Sequence, residues 1–117
     1  MNRHERPSVL GREFDIARQL VLDAGEAIEK VRASGVEVRI KPDDSPVTSA
    51  DLISERILRD GISTAFPKDG ILSEESDGIV VSQSGRTWVM DPLDGTKGFI
   101  ANTEQYAVQV GLLISGI

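Results

Sequence analysis

Carboxylates gather in three short stretches of this 117-residue chain, each beside residues that shape a turn. The densest stretch is Asp91-Pro92-Leu93-Asp94-Gly95-Thr96. The apolar run Trp88-Val89-Met90 before it reads as a buried strand that delivers Asp91 to its end. Pro92 fixes a backbone dihedral and Gly95 permits a tight turn. Across such a turn, Asp91 and Asp94 can converge on one side, and carboxylates with a backbone carbonyl between them suit hard cations such as Mg²⁺ or Ca²⁺. Thr96 then opens a short helical segment whose free N–H groups and positive dipole end favour a phosphate. A plainer reading remains open, because Asp-Pro and Asp-Gly are also common turn and N-cap pairs.

The second stretch is Ser73-Glu74-Glu75-Ser76, directly after Ile71-Leu72. A strand sends neighbouring glutamates to opposite faces, so only one of them can easily look into a shared site, and such a pair taken alone is more often a solvated turn. The third is Ser45-Pro46-Val47-Thr48-Ser49-Ala50-Asp51. Thr48 and Asp51 have capping-box spacing. Asp51 is also positioned to orient or activate a hydroxyl or water from the first turn of a helix. Six acids (Asp69, Glu74, Glu75, Asp77, Asp91, Asp94) and two bases (Lys68, Arg86) lie between positions 68 and 94. A pocket of that charge attracts phosphate most simply through bound divalent cations, which become the largest local charges. Such ions also lower the pKa of a coordinated water.

The elements that must hold these stretches follow from periodicity. Over residues 13–33, Phe14, Ala17, Leu20, Val21, Ala24, Ala27, Ile28 and Val31 lay one apolar stripe on a helix. Gly35 stops that helix. Residues 36–40 alternate as a half-buried strand. KPDDSPVT (41–48) reads as a loop, since its prolines and paired aspartates oppose a regular ladder. A second helix begins at Thr48 or Ser49 and runs to Ala65, with Ile53, Ile57, Leu58, Ile62, Ala65 and Phe66 on its core side and Pro67 ending it. Short strands are expected at 71–72, 79–81 and 87–90, a turn-helix segment over 91–101, and a strand over 106–114 buried on both faces.

Composition limits the partners. Thirteen Lys+Arg against nineteen Asp+Glu leave a net charge of −6, which argues against a general nucleic-acid binder. Five aromatics are too few for base stacking along a single strand. Cysteine is absent, excluding disulfides, thiolate metal sites and thiol catalysis. No apolar run approaches the length of a membrane span, and the polar start MNRHERPS has no signal-peptide core. The expectation is a cytoplasmic α/β protein acting on a small phosphorylated substrate.

SPVTSAD (45–51), SEES (73–76) and above all WVMDPLDGTKGF (88–99), followed by EQYAVQVGLLISG, resemble the motifs of the inositol monophosphatase superfamily of Mg²⁺-dependent, lithium-sensitive phosphatases. Thr96-Lys97-Gly98-Phe99 and the KPDDSPVT loop are closer to the 3′(2′),5′-bisphosphate nucleotidases, which remove the 3′-phosphate of 3′-phosphoadenosine 5′-phosphate, a by-product of sulfate assimilation. Inositol 1-phosphate or another sugar phosphate is the alternative substrate. The resemblance implies an α/β (α+β) layered sandwich, a helix pair packed on a largely antiparallel sheet, and two or more Mg²⁺ ions. By position, Glu74 resembles a ligand of the first metal, Asp91 a carboxylate bridging two metals, Leu93 a backbone-carbonyl ligand and Asp94 a ligand of the second metal. Gly95 and Thr96 resemble the phosphate-binding turn, while Glu74, Leu93 and Asp94 also line the substrate. Asp51 and Thr96 resemble the pair in which an aspartate aims the threonine hydroxyl at the attacking water.

One departure is plain. The superfamily carries a further metal-ligating aspartate in a Trp-Asp motif, and Trp88 is the only tryptophan here. The expectation is that residues 1–117 are the N-terminal part of a metal-dependent phosphatase domain, inactive or impaired alone. A non-enzymatic rival is a truncated module that binds a divalent ion and self-associates through the open edge of its last apolar strand.

Overall fold

The computed structural model describes residues 10–35, 38–41, 46–73, 79–95 and 107–114. Helix α1 spans Gly11–Ser34 and helix α2 spans Ser49–Ala65. Each spans its periodic stripe, and α1 ends at Gly35, whose amide donates to the Val31 carbonyl at 2.9 Å. At Gly61 the helices approach so closely that a Cβ would run into the Leu20 side chain.

The helices pack on a sheet of order β3-β4-β5, built from Gly70–Ser73, Arg86–Asp94 and Ala107–Ile114. β3 and β4 run parallel, pairing Gly70 with Thr87 and Ser73 with Met90. β4 and β5 pair antiparallel over a longer stretch, from Arg86↔Ile114 to Asp94↔Ala107. The expected helix pair packed on a sheet is therefore present, and among the described residues that three-stranded sheet is mixed, antiparallel between β4 and β5 and parallel between β3 and β4. Trp88 and Met90 of β4 and Ile71 of β3 meet Leu58, Ile62, Phe66 and Ala24 in the main core. Burying each large apolar side chain there contributes about 1.5–3 kcal/mol.

Several local expectations are corrected. The stretch read as a loop over 41–48 contains strand β2 (Pro46–Thr48), which pairs antiparallel with β1 (Val38–Ile40). Pro46 is tolerated because it opens a strand in a two-stranded ribbon, where little depends on its missing N–H. Residues 79–81 form only an isolated bridge, Val80 exchanging two 3.0 Å bonds with Ile71. Ile79 and Val81 are exposed and have no buried face to stabilise a ladder. The chain from Asp91 does not turn at once into a helix: β4 continues to Asp94. Residues 96–101 of that expected segment lie outside the described residues. Strand β5 is not buried on both faces. Val108, Val110 and Leu112 pack on the core while Ala107, Gln109, Gly111 and Leu113 alternate with them and differ in exposure, because the helix layer covers one side of the sheet among the described residues.

The N-terminal end of β4 is held by charge. Arg86 donates through Nε and Nη2 to Asp69 Oδ2 (3.1 and 2.7 Å) and through Nη1 to Glu13 Oε2 (2.7 Å). Trp88 Nε1 donates to the same Asp69 oxygen at 2.9 Å, and Ser84 Oγ donates to Asp69 Oδ1 at 2.6 Å. Burial pushes the Asp69 carboxyl upward, but hydrogen bonds from Arg86, Ser84 and Trp88 outweigh it and leave it below the ordinary carboxylate range. The Arg86 hydrogen bond likewise lowers Glu13, and the bonds to Asp69 and Glu13 raise Arg86. Phe66 stacks on Trp88 with centroids 5.3 Å apart, and the Arg12 and Arg86 guanidinium groups lie 4.8 and 5.3 Å from its ring centre. No helix among the described residues is long and apolar enough to cross a membrane.

Candidate functional site

The opposite end of β4 carries Asp91, Leu93, Asp94 and Gly95. Here the register with β5 slips: Asp91 faces Gln109 while Asp94 faces Ala107, three steps on β4 against two on β5. One extra residue is thus inserted, a β-bulge that bends the strand and re-aims its side chains. Pro92, which has no N–H to give to a ladder, is suited to that position. Gly95 ends the bulge at φ 90°, a backbone conformation that L side chains rarely adopt. The side chain of Leu93 is buried with Ile28 of α1 and Ala50 of α2, so both helices anchor the bulge. Asp91 is half-buried and Asp94 exposed. Asp91 also borders an open depression of about 390 Å³ with Val89, Met90, Gln109, Val110 and Gly111.

Helix α2 brings Asp51 to the same end. Thr48 caps the helix: its Oγ1 accepts from the Ala50 and Asp51 amides at 3.1 and 3.2 Å. Asp51 Oδ2 in turn accepts from the Thr48 amide at 2.7 Å and from the Thr48 hydroxyl at 2.6 Å. The expected capping box is present, and it fixes the carboxylate of Asp51, which is fully buried. Ala50 touches the bulge through Leu93, and Ser54, one turn after Asp51, donates its hydroxyl to the Pro92 carbonyl at 2.7 Å. Asp51 therefore lies between two points at which α2 grips the bulge.

Strand β3 ends there too. Its last residue, Ser73, pairs with Met90, so the parallel strand leaves the sheet beside the start of the Asp91–Asp94 stretch. Glu74, Glu75 and Thr96 lie outside the described residues. The described residues thus bring Asp51, Asp91, Leu93, Asp94 and Gly95 to one end of the fold.

The available donors are hard oxygens: the Asp91 and Asp94 carboxylates and the Leu93 carbonyl. Such a set fits Mg²⁺ or Ca²⁺ and suits softer metals poorly. One Asp91 oxygen, Oδ1, is shielded from solvent, as a ligand atom at the wall of a metal site would be. Among the described residues no group of three or more His, Cys, Asp or Glu side chains surrounds a common point.

Sequence reasoning did not single out Ser54, and it counted Asp69 among the acids of a cation-binding pocket, whereas the structure places Asp69 at the opposite end of β4, bound to Arg86 and Trp88. Ser54 had a usable signal: it falls on the stripe of Asp51, Leu58 and Ile62, and a hydroxyl in such a stripe needs an acceptor. Asp69 follows Pro67-Lys68 in what reads as a polar turn. Nothing local marks the arginine and indole that reach it from β4.

Comparison with known proteins agrees with this architecture. Residues 12–117 match the inositol monophosphatase family, and the chain belongs to it. It is 38% identical over 105 residues to a histidinol-phosphatase of Chlorobaculum parvum, covering 89% of this chain and 40% of that protein. It is 41% identical over 107 residues to the 3′(2′),5′-bisphosphate nucleotidase CysQ of Escherichia coli O157:H7, covering 88% of this chain and 44% of that one. The crystal structure of extragenic suppressor protein suhB from Bartonella henselae superposes with a TM-score of 0.82 at 31% identity, over 91% of this chain and 42% of that chain. The chain therefore spans well under half the length of these relatives.

Proposed function

We propose that these residues form part of the active site of a Mg²⁺-dependent phosphomonoesterase. The observation that carries the reading is the β4 bulge, which offers Asp91, the Leu93 carbonyl and Asp94 within one turn of chain beside the buried Asp51. In this reading Asp91, Leu93 and Asp94, together with Glu74, hold the cations. Bound Mg²⁺ supplies positive charge to the phosphate and acidifies a water. Thr48 locks Asp51, and Asp51 orients the Thr96 hydroxyl toward the attacking water. The backbone amides of Gly95 and Thr96 receive the phosphate at the turn. No covalent phosphoenzyme is formed, and a burst of phosphate-labelled protein would contradict that.

The substrate favoured is a 3′(2′),5′-bisphosphate nucleotide such as 3′-phosphoadenosine 5′-phosphate. Support comes from the Thr96-Lys97-Gly98-Phe99 sequence and the nucleotidase relative at 41% identity. The Chlorobaculum relative favours a second reading, histidinol phosphate. The chain covers 40–44% of these relatives, so the activity is proposed for a catalytic unit of their full extent. Phosphate release measured in parallel on the bisphosphate nucleotide, histidinol phosphate and inositol 1-phosphate, with and without Mg²⁺, tests it. Preference for the nucleotide supports the first reading, and metal-independent turnover would defeat both.

A further inference from the structure

Ser54 stands apart from the other hydroxyls of the described chain. It is fully buried on α2, and its hydroxyl reaches 38 residues along the chain into another element, donating to the Pro92 carbonyl at 2.7 Å. A buried carbonyl needs a donor, and that alone would make Ser54 structural. Its location says more. The Pro92 carbonyl belongs to the peptide plane between Pro92 and Leu93, midway between the two carboxylates of the bulge. Rotation of that plane changes where the Leu93 carbonyl and the Asp94 side chain point relative to Asp91. Within the bulge, Pro92 restricts its own φ and Gly95 closes the turn at positive φ. The ψ of Pro92 is the dihedral that ring closure does not restrict, and the Ser54 hydroxyl grips the carbonyl that this angle moves. The grip comes from the helix that also carries Asp51, so one rigid element references both halves of the site.

We infer that Ser54 is a positioning residue for the cation cradle, and that it tunes the cradle toward Mg²⁺ over Ca²⁺. The inference rests on the metal reading above. Mg²⁺ demands near-octahedral geometry at short range, whereas Ca²⁺ accepts variable coordination at longer range. Loosening the Pro92–Leu93 plane therefore costs Mg²⁺ affinity more than Ca²⁺ affinity. Losing a group that orients metal ligands from behind typically weakens binding by about 10–100-fold.

The test is calorimetric titration of the chain with Mg²⁺ and, separately, Ca²⁺, for wild type, Ser54→Ala, Ser54→Thr and Asp91→Asn. Thermal unfolding without metal is recorded beside each titration. Ser54→Ala is expected to weaken Mg²⁺ by about tenfold or more and Ca²⁺ by a clearly smaller factor. Ser54→Thr, which keeps the hydroxyl, is expected to restore the Mg²⁺ preference. If Ser54→Ala does not fold, Ser54→Cys, with a weaker donor of similar size, replaces it under the same expectation. A folded variant lacking the hydroxyl that binds Mg²⁺ as wild type does, or loses both ions equally, overturns the inference while Asp91→Asn still abolishes binding. Wild-type Mg²⁺ binding that survives Asp91→Asn, or no binding at all, overturns the metal reading and this inference with it.

Discussion

The two ends of strand β4 treat acidic residues in opposite ways. At the N-terminal end, Asp69 is only 5% exposed and receives four hydrogen bonds, two of them from Arg86, which also reaches Glu13. Charge there is matched within the fold, and the Arg86 guanidinium lies over the ring of Phe66, which in turn stacks on Trp88. At the C-terminal end, the buried Asp51 is gripped by the amide and hydroxyl of Thr48, and Asp91 and Asp94 flank a bulge that a serine hydroxyl holds from behind. The first arrangement joins α1, the turn before β3 and the start of β4. The second positions acidic oxygens at the end of two parallel strands, where ligands of α/β sheets commonly gather. A strand that fastens the fold at one end is thereby left to display carboxylates at the other.

Substitutions at the two ends should therefore separate activity from stability. The largest effect expected is on turnover: Asp91→Asn in a catalytic unit of full length should lower phosphate release by about a thousandfold or more, since charge stabilisation carries most of phosphoryl transfer. Its unfolding midpoint should move little. Asp69→Ala should do the reverse. It leaves Nε and Nη2 of Arg86 and the buried Trp88 indole N–H without their acceptor, and urea denaturation should show a loss of about 3 kcal/mol. Comparable destabilisation by Asp91→Asn would break the contrast.

Acid sharpens the same comparison. Asp69 and Glu13 both titrate below their ordinary values in the folded protein, so their contribution is complete above the unfolded-state pKa and fades as pH falls toward the folded one. Stability should begin to fall below about pH 4.5, the ordinary value for Glu13, and Asp69→Asn should flatten that decline in pH-dependent denaturation. Thr48→Val removes the acceptor of two helix amides and should cost about 1 kcal/mol, with a further loss of activity through Asp51. Smallest of all, Lys30→Ala removes an exposed pair with Glu26 on α1 and should change stability by less than about 0.5 kcal/mol.

Both helices were legible because an amphipathic stripe of period 3.6 is a local property, and the Thr48–Asp51 box because its two members lie within one turn. The approach of Asp91 along an apolar strand was legible for the same reason. The bulge was not, because a register slip is defined only against the partner strand, and residues 91–94 look like any Asp-Pro turn until β5 is paired. Pro46 misled in the opposite direction: its missing N–H argues against a ladder, yet the first position of β2 does not depend on it. The exposed alternation of β5 was hidden because Leu113 and Ile114 are as apolar as Val110 and Leu112, and side-chain type does not say which face finds a neighbour.

What the sequence determined by itself is the chemistry on offer: hard oxygen donors in three short motifs, with helices and strands to carry them. That follows because residue type and short-range periodicity are written in consecutive positions. Only the tertiary structure decided the arrangement: the parallel pairing that ends β3 beside Asp91, the Arg86–Asp69–Trp88 fastening, and the reach of Ser54 across 38 residues to the Pro92 carbonyl. Those contacts depend on which surfaces meet when the chain closes on itself, and no local pattern encodes a hydrogen bond between residues so far apart.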